Sequence, residues 1–116
     1  MGMDLISRRR FFQWNNVAWR TVLDIGIQHG WVPMGTGPCR GVRKRDWVGD
    51  YFSNDGQLFY ARDAKRLADA LRTFLNQKRR RLPRRRKNEA WFWSPVGKRA
   101  LADFIRFCRK GSFRIH

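Results

Sequence analysis

Acidic side chains are scarce in this chain. Nine Asp and Glu stand against 26 Lys and Arg in 116 residues, a formal charge of +17, so chemistry that needs paired carboxylates starts from a thin supply. Two histidines and two cysteines complete the usual metal ligands. His29, His116, Cys39 and Cys108 do not fall at the close paired spacing that marks a zinc site. No acid–base pair or nucleophile triad stands out either, so neither a metal nor a cofactor nor a small-molecule substrate is expected, and the chain does not read as an enzyme. No apolar run approaches the ~18 residues that span a bilayer. Residues 1–10 contain only short apolar stretches and end in three arginines, unlike a secretory leader. With so few cysteines, the expectation is a reduced, cytoplasmic protein with no membrane partner.

What the chain does have is positive charge and aromatic bulk. Apolar residues make up 42% and aromatics 15%, well above a self-repelling disordered polycation, so residues 1–116 are expected to form one domain with one core. Twenty of the cations are Arg and six are Lys. A guanidinium grips phosphate through two parallel hydrogen bonds and also stacks on bases, which an ammonium does not.

The cations fall into four clusters: Arg8, Arg9 and Arg10; Arg40, Arg43, Lys44 and Arg45; the block 78–87; and Arg106, Arg109, Lys110 and Arg114. In the block, Lys78, Arg79, Arg80, Arg81, Arg84, Arg85, Arg86 and Lys87 are all basic, and such a run repels itself unless solvent or a polyanion surrounds it. The first expectation is therefore a nucleic-acid-binding protein that grips the phosphate backbone, RNA favoured over DNA, working as an accessory subunit of a ribonucleoprotein. Two alternatives use the same residues differently. One is a protein-interaction module, inhibitor or immunity-like, whose cationic face docks on an acidic or nucleic-acid-binding partner. The other is a metal-dependent nuclease built on the Asp63-Ala64-Lys65 triplet with Asp46 and Asp50 upstream. That triplet normally lies on a strand, whereas here Asp63 opens a helix and reads as helix-terminal charge.

Trp14, Trp31, Trp47, Trp91 and Trp93 lie beside basic runs, an interleaving suited to stacking exposed bases. In a small domain most aromatics are core. Trp19, Trp31 and Trp47 are expected to be buried, leaving Trp91, Phe92 and Trp93 as the stacking candidates. Nothing matches a recognition helix, a zinc finger or the aromatic motif of an RNA-recognition domain, so binding is expected to be directed by shape or backbone.

Periodicity supplies the architecture. Ala18, Val22, Ile25 and His29 recur at helical spacing after Asn15-Asn16, and Gly30-Trp31 reads as a C-cap. Residues 32–45 are rich in Gly, Pro and charge and read as a loop. Trp47 to Phe52 and Gln57 to Ala61, separated by Ser53-Asn54-Asp55-Gly56, predict a β-hairpin. From Asp63, Ala64, Leu67, Ala68, Leu71, Phe74 and Leu75 form one apolar stripe, predicting a helix packed on that hairpin and running into the basic block, which becomes a loop at Pro83. Ser94-Pro95 opens a last helix with Ala100, Leu101, Phe104, Ile105 and Cys108 on its stripe, closed by Gly111. Phe113-Arg114-Ile115 alternates as a short strand. The sum is an α+β domain, about three helices packed on a β-hairpin or a three-stranded antiparallel sheet, with 78–87 as an Arg-rich insert.

Several fragments together resemble a group of small bacterial proteins without a known function. They are Gly30-Trp31-Val32-Pro33 with Gly35-Thr36, Trp47-Val48-Gly49-Asp50-Tyr51, Asn54-Asp55-Gly56-Gln57, Asp63-Ala64 with Leu67-Ala68 and Ala70-Leu71, and the ending Phe107, Gly111 and Phe113-Arg114-Ile115. The likeness covers roughly residues 14 to 75 and the last dozen. It implies no activity, and the insert 78–87 departs from its pattern, so the insert is expected to specialise a shared scaffold.

Overall fold

The computed structural model describes residues 2–77 and 84–116, with side chains described for 2–77 and 88–116. The chain begins with an antiparallel hairpin of Gly2–Ser7 (β1) and Arg10–Asn15 (β2). Met3 faces Trp14 and Leu5 faces Phe12 across it, which sends one apolar set inward and leaves Asp4, Ile6, Phe11 and Gln13 on the other face. The third strand is Gln57–Phe59 (β3) and the fourth Phe113–Ile115 (β4). They complete an antiparallel sheet of order β2-β1-β4-β3. The C-terminal strand thus lies between the first and third rather than at an edge.

The domain is α+β with three helices, as expected, and two details of the sheet differ. The sheet has four strands, because residues 2–15 supply a hairpin. The expected hairpin across Ser53–Gly56 does not form, since residues 47–52 contain no strand and β3 pairs with β4 instead. The reason lies in what the side chains reach for. Tyr51 turns inward to Asp63. Gln57, fully buried, donates from Nε2 to the carbonyls of Asp50 and Ser53, so the segment curls around one amide. Trp47, expected in the core, is half-buried, with Nε1 donating to Thr36 Oγ1 at 3.2 Å.

The three helices are Asn16–Gln28 (α1), Ala61–Asn76 (α2) and Pro95–Arg109 (α3), and local chemistry sets most of their ends. Asn15 Oδ1 accepts from the Ala18 N–H at 2.7 Å, and Ser94 Oγ accepts from the Gly97 N–H at 3.1 Å ahead of Pro95; each satisfies an otherwise orphaned donor. At the end of α1, Gly30 takes φ 99°. This lets the Trp31 N–H reach the Gly26 carbonyl at 2.9 Å and the Gly30 N–H reach Ile27 at 3.3 Å, a Schellman closure. α2 starts at Ala61, two residues before Asp63, and packs chiefly on α1 and α3 rather than on a hairpin.

α1 and α3 cover the inner face of the sheet. Trp19, Phe59, Phe104 and Phe113 are each 1% exposed or less; Phe59 stacks on Phe113 at 4.7 Å between centroids, and Phe104 meets Trp19 edge-on at 6.0 Å. Such pairs add roughly 0.5–1.5 kcal/mol each beyond their buried area. Among the described residues, no helix packs on the outer face of the sheet, where Ile6 and Phe11 are exposed. Among the described residues, no helix is long and apolar enough to cross a membrane.

Candidate nucleic-acid interface

A groove of about 1110 Å³ lies along β4 on the open face of the sheet. Its walls are the β1–β2 turn, the loop around Cys39 and Arg40, the turn between α3 and β4, and the start of β3. Five cations line it: Arg8, Arg10, Arg40, Lys110 and Arg114, with His116 beside them and Asp55 as the one acidic residue in the lining. These cations come from three of the four sequence clusters. They meet because β4 sits between β1 and β3, which brings residues 100 positions apart into one concavity.

The cations fall into two kinds. Arg10 and Arg114 are fixed by the protein: Arg10 Nη1 donates to the Phe107 carbonyl at 2.6 Å and lies over the Phe107 ring. Arg114 Nη1 donates to the Gly56 carbonyl at 2.9 Å and to Pro38 at 3.3 Å. Carbonyls fix a guanidinium without neutralising it, so the floor of the groove keeps its charge. Arg8, Arg40 and Lys110 are exposed, and two ion pairs form among the described residues, Arg106–Asp103 and Arg109–Asp69. Both lie on the helices, so within the C-terminal cluster Lys110 and Arg114, and not Arg106 or Arg109, serve the groove.

The other expected residues lie elsewhere. Arg9 is exposed in the hairpin turn, and Arg43, Lys44 and Arg45 are exposed around a 3-10 turn at Lys44–Asp46, none of them in the groove lining. Lys78, Arg79, Arg80 and Arg81 lie outside the described residues. Arg84, Arg85, Arg86 and Lys87 begin a 3-10 segment, Arg84–Trp93, rather than a loop, and their side chains lie outside the described ones. Of the stacking candidates, Trp91 is 45% exposed and lines a second hollow of about 560 Å³ with Trp14, Val17 and Asn88. Trp93 is buried, 4.6 Å from the Phe74 ring, and Phe92 is buried beside Trp14. As packed, neither offers a ring face to a base.

Asp63 is fully buried. Its Oδ1 accepts from Trp31 Nε1 at 2.9 Å and the Met34 N–H at 3.3 Å, and its Oδ2 from the Tyr51 hydroxyl. Both oxygens are thus turned to internal donors that tie the 31–35 loop and Tyr51 to the first turn of α2. Burial, with the Asp63 acceptor second, holds the Tyr51 hydroxyl well above its usual range. Asp50 accepts from the Phe52 and Ser53 N–H groups at 2.8 and 3.0 Å, which lowers its carboxyl. Among the described residues, no three His, Cys, Asp or Glu gather where a metal could be held. Cys108 is buried and its thiol is pushed well up by that burial.

The exposure of Phe11 and Ile6 beside the groove, and the fixing of Arg114, escape a sequence reading, because they depend on strand register. Comparison with protein-family models, curated proteins and solved structures yields no match.

Proposed function

We propose that this chain is a non-enzymatic nucleic-acid-binding protein that holds the phosphate backbone, RNA in preference to DNA, as an accessory subunit of a protein–RNA assembly. The observation that carries this reading is the convergence of Arg8, Arg10, Arg40, Lys110 and Arg114 on one groove with a single acidic neighbour, Asp55. Neither solubility nor folding requires cations to converge, and mutual repulsion opposes it; a polyanion in the groove reverses that sign. The block 78–87 adds a second supply of guanidinium groups.

Binding of this kind releases counterions, so log affinity falls with log salt by about 0.9 per phosphate on a duplex and about 0.7 on a single strand. Replacing Arg8, Arg40 and Lys110 together by Gln changes only exposed side chains. It is expected to weaken RNA binding and to make the slope shallower by about 2, with the melting temperature held, in fluorescence anisotropy from low to moderate salt. An unchanged slope removes the groove from the interface. A partner captured equally well before and after nuclease digestion replaces the nucleic acid with an acidic protein.

A further inference from the structure

Strand register places four side chains in one row across the open face of the sheet. Phe11 pairs with Ile6, Ile6 with Arg114, and Arg114 with Leu58. None of the four points into the core: Phe11 is 60% and Ile6 40% exposed, and Leu58 and Arg114 are partly exposed. At the usual strand spacing the row runs roughly 14 Å from β2 to β3. Ile6, Arg114 and Leu58 also line the basic groove, so the exposed phenyl and the cations share one surface. Asp4 of β1, on the same face, is tied to Gln13 Nε2 at 2.7 Å.

We propose that this face binds single-stranded RNA, with Phe11 stacking on a base while the groove cations hold the adjoining backbone. The proposal rests on the nucleic-acid reading above and narrows it. A duplex presents phosphates and keeps its bases stacked inside, so an exposed ring set among cations gains nothing from it. A single strand offers both the charge and the free base faces that a surface with cations and an exposed ring can engage. The occupant follows from charge complementarity: five cations against one acid in the groove lining favour an anionic chain.

Anisotropy with a labelled, unstructured 12-nucleotide RNA and with the duplex of the same sequence tests this in the full chain. The wild type is expected to prefer the single strand. Phe11→Ala is expected to weaken the single strand about tenfold, the scale of one base–aromatic stack, with the salt slope and the duplex affinity unchanged and the melting temperature held. Phe11→Trp is expected to restore binding. Phe11→Ala binding the single strand like wild type overturns the stacking site, while persistent salt-sensitive binding leaves the broader reading standing. A wild-type chain that ignores both RNAs at low salt overturns both. A DNA oligomer of the same sequence bound tenfold more tightly overturns the assignment to RNA.

Discussion

A buried carboxylate needs donors for both of its oxygens, and Asp63 draws them from Trp31, Met34 and Tyr51. Its position near a helix start is legible in the sequence. Its burial is not, because the donors come from up to 32 residues upstream. Asp63→Asn keeps the volume but turns an amide N–H₂ toward a donor. It is expected to cost about 3 kcal/mol, a fall in melting temperature of about 12 °C for a domain of this size, measured by calorimetry, with groove binding at low temperature retained. Tyr51 in this network and Cys108 on α3 give the fold a pH dependence. Both are held above their usual values of 10.0 and 9.0, so the folded chain keeps protons that the unfolded chain loses. Their contribution is complete below about pH 9 and is lost as pH rises above it, because the unfolded state then binds fewer protons. Denaturant midpoints at pH 8 and pH 10.5 are expected to show the fall, and Tyr51→Phe is expected to flatten its upper part at some cost in stability at pH 8.

At the scale of elements, the legible features were those decided within a few residues. Asn15, Gly30-Trp31, Ser94-Pro95 and Gly111 mark ends of α1 and α3 where the structure has them. The strands were harder to place, because pairing is non-local. Asn54-Asp55-Gly56 does mark a turn, but the strand that follows it pairs with residues 113–115. The hairpin that does form turns through Arg8 and Arg9, with none of the Asn or Gly that announces such turns. A close approach of elements was equally hidden. A Cβ on Gly97 would lie on the Trp91 carbonyl oxygen and against Phe92 Cα, backbone atoms that no rotamer change removes. Gly97→Ala is therefore expected to cost about 2–3 kcal/mol by prising the 84–93 segment from α3, read as a lower melting temperature and a changed tryptophan emission from Trp91 and Trp93.

At the scale of the whole molecule, the four basic clusters were visible in the sequence, but their partition was not. Ion pairing assigns Arg106 and Arg109 to the helices, and the insertion of β4 between β1 and β3 assigns Arg8, Arg40 and Lys110 to one groove. On the proposed function, the block 78–87 supplies either a second contact on the same RNA or charge that the RNA never meets, and salt dependence distinguishes the two. Each phosphate contact on a single strand is worth about 0.7 in the log–log slope. Neutralising Arg79, Arg80 and Arg81 to Gln is expected to flatten the slope by about 2 on a long RNA, independently of the groove variant, because contacts with separate phosphates add. A short oligomer that fills only the groove is expected to feel the groove variant and ignore the block variant, since linking two sites on one ligand raises affinity only when the ligand reaches both. If the block variant leaves the long-RNA slope where it was, Arg79, Arg80 and Arg81 are not phosphate contacts, and the groove alone carries the binding.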